Sequence, residues 1–219
     1  MSKINRMKTI KVVAFDCDGV MFDTQKANTA YYSRILEAMG KPVLTPEQFE
    51  YVHMHTVDSS LSFLFQDEVT LKKAREYRNR MGYLPFIGAM LEEPGLKPLL
   101  HKLRPDRKTA VVTNRSDTMN AVLETFHLKD LFDLVVTALD VTYAKPHPEG
   151  LEKILAHFKV EPHEVIYVGD SELDAKAAKA AGIPLVAYNN PALGGQYDIS
   201  ALSEIEAILG LHASESNYF

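Results

Sequence analysis

The chain has 219 residues, of which 46% are hydrophobic, and a formal net charge of −5. This length can bury a full core and allows one large domain or two small ones. The mild charge gives no reason to expect a nucleic-acid or membrane partner, and no run of about 18 apolar residues predicts a membrane helix. The single cysteine, Cys17, excludes an internal disulfide and is typical of a reducing compartment. We therefore expect a cytoplasmic protein and, if there is a substrate, a small one.

Five short apolar runs have the length and composition of β-strands. They are rich in β-branched residues and nearly continuous, which is typical of strands that are covered on both faces. The runs lie at residues 10–15, 109–113, 134–137, 165–168 and 184–187. Helical patterns follow three of them, in residues 116–128, 148–158 and 171–182. This alternation predicts an α/β fold, a doubly wound parallel sheet with helices on both sides.

Residues 21–94 interrupt the alternation, because they contain no comparable strand run. Their segments favour helices, for example at Thr45, Pro46 and Gln48, which have the spacing of a helix capping box. Gly95 closes a stretch that suits a return linker. The sequence thus predicts a core made of residues 1–20 and 95–219 and an inserted α-helical cap at residues 21–94.

Polar side chains follow four of the apolar runs, at the point where each strand is expected to end. They are Asp16 and Asp18, Thr113 and Asn114, Lys145, and Asp170 and Asp174. Ligands bind outside the carboxyl ends of the strands in an open parallel sheet, so these side chains are expected to converge. Four carboxylates cannot be balanced by one lysine, which indicates a bound cation or retained protons. An all-oxygen set without histidine or cysteine at ligand spacing favours Mg²⁺ over zinc.

A magnesium site of this kind suits phosphoryl transfer. A carboxylate can attack phosphorus and form an aspartyl-phosphate, while the cation, the lysine and hydroxyl donors neutralise the transferring oxygens. A second carboxyl group two residues further on can protonate the leaving alkoxide and later activate water. A turn at Gly19 can bring Asp18 over Asp16. The residues therefore favour a small phosphorylated metabolite as substrate.

The sequence also resembles a known family. DCDGV at 16–20, VTNRS at 112–116, AKPHPEG at 144–150 and VGDSELDAKAAKAAG at 168–182 are similar, in order and spacing, to the four motifs of the haloacid dehalogenase-like (HAD) hydrolase superfamily. The helical insertion resembles the cap of its phosphoglycolate phosphatase and β-phosphoglucomutase branch. The resemblance spans nearly the whole chain. It implies a Rossmann-like core and a Mg²⁺-dependent phosphatase that acts on a phosphoglycolate-like or sugar-phosphate-like monoester.

The resemblance also implies a role for each motif residue. Asp16 would be the nucleophile and Asp18 the general acid and base. Thr113 and Asn114 would hold the phosphoryl group, and Lys145 would pair with it and with the nucleophile. Mg²⁺ would be held by Asp170 and Asp174 together with Asp16 and the main-chain carbonyl of Asp18. After the first motif this chain has Asp23-Thr24-Gln25 where many relatives have D-S-E, so the choice of substrate does not carry over.

Several alternatives stay open. A β-phosphoglucomutase-like phosphomutase uses the same core, and a catalytically silent sensor of a phosphorylated ligand would keep the fold. Asp18 argues against a dehalogenase and a phosphonate hydrolase, whose branches lack it. His53 and His55 of the insertion either contact substrate or cap a helix, and Ser171 with Asp174 has the spacing of a helix cap that needs no metal. Cys17 is interpreted as a packing residue rather than a redox thiol. The sequence leaves monomer and dimer equally open.

Overall fold

The computed structural model describes residues 10–211. This part of the chain contains eight β-strands and ten α-helices. The strands are β1 (Val12–Phe15), β2 (Phe22–Asp23), β3 (Leu91–Glu92), β4 (Lys108–Val112), β5 (Leu134–Val136), β6 (Val165–Gly169), β7 (Leu185–Tyr188) and β8 (Tyr197–Ile199). The helices are α1 (Gln25–Ala38), α2 (Pro46–Met54), α3 (Val57–Leu64), α4 (Glu68–Met81), α5 (Leu84–Ile87), α6 (Leu96–Leu103), α7 (Met119–Thr125), α8 (Glu149–Phe158), α9 (Glu172–Ala181) and α10 (Glu204–Leu209).

Six strands form one sheet in the order β5-β4-β1-β6-β7-β8, and every neighbouring pair is parallel. Side chains alternate along β1, so that Val13 and Phe15 enter one apolar cluster while Val12 and Ala14 enter another. Helices α6, α7 and α10 pack into the first cluster, and α8 and α9 pack into the second. Both faces of the sheet are covered, which explains the unbroken apolar runs. The predicted doubly wound α/β fold is confirmed.

Three elements of the core were not predicted. Strand β8 lies at the edge of the sheet, and its short sequence YDI has one exposed position, so it lacks the apolar run of a central strand. Helix α10 is only six residues long. Helix α6 buries four leucines, although Pro98 near its start weakens the helical signal in the sequence. The helix predicted over residues 116–128 is shorter than expected, since only Met119–Thr125 is helical.

Helices α1 to α5 form the inserted cap. The predicted capping box at the start of α2 is present, because Thr45 Oγ1 accepts from the Gln48 amide and Gln48 Oε1 accepts from the Thr45 amide. Residues 69–86, whose sequence also favours a helix, form two helices, since Gly82 ends α4 at a φ of +64° and α5 begins at Leu84. The insertion is also not purely helical, because β2 and β3 pair antiparallel where the chain leaves and re-enters the core. The domain limits at residues 20/21 and 94/95 stay a prediction, and residues 1–9 and 212–219 lie outside the described residues.

The carboxyl ends of the central strands define one edge of the sheet. Strand β1 lies between β4 and β6, so the residues that follow these three strands are neighbours. The backbone continues this pairing, because the Asp16 amide donates to Val168 O at 2.9 Å. The cap covers the same edge. Among residues 10–211, no helix is long and apolar enough to cross a lipid bilayer.

Candidate active site

Three carboxylates meet at this edge of the sheet. Asp16 follows β1, Asp170 follows β6, and Asp174 lies in the first turn of α9. One carboxylate oxygen from each lies within 4.8 Å of the others. Asp16 and Asp174 are buried, and Asp170 is partly buried. The structure thus brings together the three side-chain carboxylates that the sequence predicted as metal ligands.

The close approach of these loops depends on Gly19. Its φ of +83° lies in the region that only glycine adopts freely, and it allows the chain to turn directly after Asp18. A Cβ atom at this position would lie 2.0 Å from Asp170 Oδ2, which no side chain could accommodate without moving Asp170. Gly19 therefore sets both the turn of the first loop and the space for the third carboxylate.

Lys145 is the cation that faces this cluster. Its Nζ lies 2.7 Å from Asp16 Oδ1 and 2.6 Å from Asp174 Oδ1, and its side chain is 5% exposed. Burial alone would lower the pKa of Lys145, but the two carboxylates outweigh it and raise the pKa above the usual value. Lys145 is therefore a permanent positive charge between the two buried aspartates.

Asp174 has a second set of partners that holds it as an anion. Its Oδ2 accepts from Ser171 Oγ at 2.6 Å and from the Ser171 amide at 3.1 Å, which completes a capping box at the start of α9. Tyr167 Oη lies 2.7 Å from Oδ1. Burial would raise the pKa of Asp174, but Lys145 and these hydrogen bonds lower it below its usual value. The helix-cap interpretation and the position in the acidic cluster are therefore compatible.

The other two carboxylates are not fully compensated. Burial and then the charge of Asp174 raise the pKa of Asp16 to about 7, against the opposing effect of Lys145. Burial, followed by the charges of Asp16 and Asp174, raises the pKa of Asp170 to about 8. Apart from its contact with Lys145, the buried Asp16 Oδ1 has no hydrogen-bond partner among residues 10–211. A hard divalent cation fits this set of carboxylate oxygens, because it would supply the missing positive charge.

The loop after β4 carries Thr113 and Asn114, and the structure places both at the same edge. Asn114 Nδ2 donates to Lys145 O at 3.1 Å and to Met54 O of the cap at 3.0 Å, while Asn114 Oδ1 accepts from the Lys145 amide. The buried Thr113 Oγ1 accepts from the Arg115 amide at 3.1 Å, which leaves its hydroxyl proton for another acceptor. Asn114 therefore fixes the lysine loop and touches the cap.

Sequence reasoning missed two residues of the site. Arg115 forms a bidentate ion pair with Asp18, with Nε–Oδ2 and Nη2–Oδ1 distances of 2.7 Å. Burial would raise the pKa of Asp18, but the guanidinium of Arg115 lowers it below its usual value. Tyr167 in β6 bridges Lys145 and Asp174. The available signals were an arginine inside the motif VTNRS and one hydroxyl-bearing residue in an otherwise apolar strand.

A small cavity of about 70 Å³ lies between these loops and the cap. Asp16, Asp18, Thr113 and Lys145 line it from the core. His53 and His55 line it from the cap, but their rings have other partners. His55 stacks on Tyr51 with ring centroids 3.8 Å apart, and its Nδ1 lies 2.9 Å from Tyr51 O. His53 Nδ1 lies 3.4 Å from Asn28 Nδ2.

Cys17 lies between the two aspartates and points away from this cavity. It is fully buried in the apolar cluster on one face of the sheet. Burial raises the pKa of its thiol well above the usual value, so the reactive thiolate is disfavoured. The prediction of a packing residue is confirmed.

The family model for haloacid dehalogenase-like hydrolases matches residues 13–188. The chain belongs to this family. The match contains all four sequence motifs and the whole helical cap. The membership that the sequence resemblance implied is thus confirmed, and the chain is an enzyme of the hydrolase class.

Individual HAD relatives match nearly the whole chain. A phosphoglycolate phosphatase from Salmonella typhi is 29% identical, over 94% of this chain and 90% of its own length. A validoxylamine A 7′-phosphate phosphatase from Streptomyces hygroscopicus is also 29% identical, over 91% and 92%. The crystal structure of a HAD-superfamily hydrolase from Geobacter sulfurreducens superimposes with a TM-score of 0.77, at 40% identity, over 93% of this chain and 98% of that one. These similarities confirm the predicted class, a phosphoric monoester hydrolase of the phosphoglycolate phosphatase and β-phosphoglucomutase branch.

Proposed function

We propose that this enzyme is a Mg²⁺-dependent phosphatase that hydrolyses a small phosphomonoester through an aspartyl-phosphate on Asp16. The observation that carries the proposal is the placement of Asp16 at the end of a central strand, 2.7 Å from Lys145 and within the acidic cluster. A carboxylate so fixed can attack phosphorus, and the ester oxygen then leaves on the opposite side. Magnesium, a cytoplasmic location and a substrate resembling phosphoglycolate or a sugar phosphate remain predictions.

The side chains around Asp16 are proposed to have two roles, binding of the phosphoryl oxygens and proton transfer. Lys145, the Thr113 hydroxyl and Asn114 are proposed to hold the phosphoryl oxygens, and Lys145 keeps its charge because of the buried carboxylates beside it. Asp18 is ionised while it is paired with Arg115, so it is proposed to take up a proton when it turns away from that cation and to give this proton to the leaving alkoxide. It then takes a proton from the water that cleaves the aspartyl-phosphate, which releases phosphate and restores Asp16.

The acidic cluster supports a proposed magnesium site. Asp170, Asp174 and Asp16 would hold the ion, together with the main-chain carbonyl of Asp18. The bound ion would neutralise phosphoryl oxygens during transfer. The turn at Gly19 and the capping box of α9 hold Asp170 and Asp174 in place, which supports the proposed site.

The cap histidines are proposed to face the leaving group. His53 lines the cavity and is linked through Asn28 to Tyr83. The His55 ring is held by Tyr51, so it would have to leave this partner to bind the substrate directly.

Replacement of the nucleophile tests the mechanism. Asp16→Asn should abolish phosphate release across a panel of phosphorylated metabolites while circular dichroism stays unchanged, because the amide cannot form the aspartyl-phosphate. Asp106→Asn removes an exposed carboxylate and is the matched control, which should keep full activity. EDTA should remove the wild-type activity and added Mg²⁺ should restore it. Full activity in Asp16→Asn would overturn the mechanism.

The same panel separates the alternatives. Phosphate release without any sugar-bisphosphate activator argues against a phosphomutase. Inactivity against every member, combined with tight binding of one of them, indicates a sensor instead of an enzyme.

A further inference from the structure

Arg115 occupies an unusual place in the cavity. It follows Thr113 and Asn114, which are proposed to bind the phosphoryl group, and its side chain is 7% exposed. Two nitrogens of its guanidinium donate in parallel to the carboxylate of Asp18 and form a fork around it. Its remaining side-chain contacts are neutral: Nη1 donates to Thr118 Oγ1, Nη2 donates to Tyr83 Oη and lies 3.9 Å from Met90 Sδ, and the guanidinium lies 4.8 Å from the centre of the Tyr83 ring. Among residues 10–211, Asp18 is the only carboxylate that bonds to it.

The proposed reaction requires Asp18 to change partners. Both carboxylate oxygens of Asp18 accept a hydrogen bond from Arg115, each at 2.7 Å, so at least one of these bonds has to break before Asp18 can act on an ester oxygen. When Asp18 turns toward the ester oxygen, Arg115 loses its counter-charge while it stays buried. A buried cation without a partner is strongly unfavourable, so a new anion must take the place of Asp18.

Within residues 10–211, the protein offers no other unpaired anion at this position. Asp117 also lines the cavity, but it pairs with Arg78 at 2.7 Å. The substrate can supply the anion. The fork of Arg115 already binds a carboxylate through two parallel hydrogen bonds, and this geometry suits a carboxylate of the substrate equally well. Asp16 and Arg115 line the same cavity, so an anionic group bound to Arg115 would lie close to the ester oxygen.

We propose that Arg115 is a specificity-determining residue that binds a carboxylate on the leaving part of the substrate and thereby releases Asp18 to face the ester oxygen. The inference rests on the proposed phosphatase function and narrows its substrate class to small phosphorylated carboxylic acids. A second phosphate group on the substrate could also bind Arg115. It is larger than the Asp18 carboxylate that the guanidinium now holds, so the geometry favours a carboxylate.

Matched substrates test this assignment. Phosphate release is measured from 2-phosphoglycolate, from its neutral amide 2-phosphoglycolamide, and from ethylene glycol bisphosphate. The wild-type kcat/KM should favour the acid over the amide by about 10- to 100-fold, the range expected for charge-assisted hydrogen bonds. A preference for the bisphosphate over the acid would overturn the choice of a carboxylate.

Variants of Arg115 show whether this residue carries the preference. Arg115→Gln should bring the ratio between acid and amide close to one, and Arg115→Lys should keep part of it because the charge remains without the fork. Arg34→Gln removes an exposed arginine charge of the cap and should leave the ratio as in the wild type. A role that is only structural would lower both rates together and leave the ratio unchanged.

The outcomes separate this inference from the proposed function. Cleavage of acid and amide at equal rates by the wild type, or an unchanged ratio in Arg115→Gln, would overturn the role of Arg115 and leave the phosphatase intact. Release of phosphate from none of these compounds or the wider panel would overturn the phosphatase itself. If Arg115→Gln fails to fold, as circular dichroism would reveal, the ratio in Arg115→Lys decides the question.

Discussion

The carboxyl groups of Asp16 and Asp170 lie where the sheet buries them beside Asp174. Their raised pKa values, about 7 and about 8, mean that the protein without a divalent ion holds protons here near neutral pH. A metal ion has to displace these protons, so protons and metal compete for the same oxygens. This competition links the stability of the fold to both pH and metal.

The first prediction follows from that linkage. Between the ordinary value of 3.8 and the raised values, the folded protein binds more protons than the unfolded chain, so stability in EDTA should fall as pH rises through this range. The pKa shifts of Asp18 and Asp174 have the opposite sign, because both values are lowered in the folded protein. These two carboxylates therefore stabilise the fold when they are ionised, and this stabilisation is lost only as pH falls below about 4. Mg²⁺ should therefore raise the unfolding temperature more at mildly alkaline than at mildly acidic pH.

Thermal unfolding of the wild type and of Asp170→Asn, with EDTA or Mg²⁺ across this pH range, measures the effect. The loss of stability with rising pH should be smaller in Asp170→Asn, because an amide does not titrate. Asp106→Asn, which changes an exposed carboxylate, should follow the wild type. An equal response to Mg²⁺ at all pH values would contradict the linkage.

The second prediction compares two glycines with similar backbone angles. Gly19 has a φ of +83° and Gly40 a φ of +63°, but a Cβ would meet Asp170 only at Gly19, since nothing lies within 4 Å of Gly40. Gly40→Ala should lower the free energy of unfolding by about 1–2 kcal/mol through backbone strain alone. Gly19→Ala should cost more and should also weaken Mg²⁺ binding. Urea unfolding and calorimetric titration with Mg²⁺ measure both effects, and equal results for the two variants would contradict the steric argument.

At the scale of single elements, the sequence predicted a strand or helix correctly where a short local pattern determines it. The covered strands appear as continuous apolar runs, and the capping boxes of α2 and α9 appear as short polar spacings. Strand β8 and helix α10 were missed, because a short edge strand and a six-residue helix owe their structure to packing against β7 and the rest of the core.

Strand β6 also carries a polar function inside an apolar element. Tyr167 is fully buried, and its Oη lies 3.0 Å from Lys145 Nζ, 2.7 Å from Asp174 Oδ1 and 3.0 Å from Val112 O. The Tyr167 hydroxyl thus contacts both charged groups beside Asp16, the ammonium of Lys145 and the carboxylate of Asp174. The sequence places Tyr167 on a buried face but does not reveal that its hydroxyl meets residues from two other loops.

The third prediction concerns this hydroxyl. Tyr167→Phe should lower the free energy of unfolding by about 1–3 kcal/mol, because a buried hydrogen bond to a charged group is lost and its partners stay buried. Tyr143→Phe removes the hydroxyl of an exposed tyrosine and should have little effect. Urea unfolding of both variants measures the difference. Equal stabilities of the two variants would show that Tyr167 only fills space.

At the scale of the whole molecule, polar contacts join the cap to the core across the site. Asn114 donates to Met54 O, Arg115 donates to Tyr83, and Arg78 pairs with Asp117. The motifs predicted which residues follow the strands, since a parallel sheet brings its carboxyl ends together. They did not predict these cap contacts, because the partners are separated by between 32 and 60 residues and no local pattern couples them.

The last prediction concerns the contact between Arg78 of α4 and Asp117 of the loop after β4. Their 2.7 Å ion pair is partly open to solvent, with side chains 18% and 52% exposed, so its contribution is modest, about 0.2–1 kcal/mol. If closure of the cap is needed for catalysis, Arg78→Gln and Asp117→Asn should each lower kcat/KM by no more than about fivefold. Their effects should not add in the double variant, because each removes the same contact.

Ionic strength distinguishes loss of the Arg78–Asp117 ion pair from a change in the shape of the cavity caused by the substitutions. Added salt should lower kcat/KM of the wild type toward that of the double variant, since partly exposed charges are screened, and it should change the double variant less. The double variant also keeps the net charge of the cavity lining unchanged, so general attraction of an anionic substrate cancels in this comparison. Additive effects of the two substitutions, or equal salt dependence of wild type and double variant, would mean that Arg78 and Asp117 act separately and do not hold the cap closed.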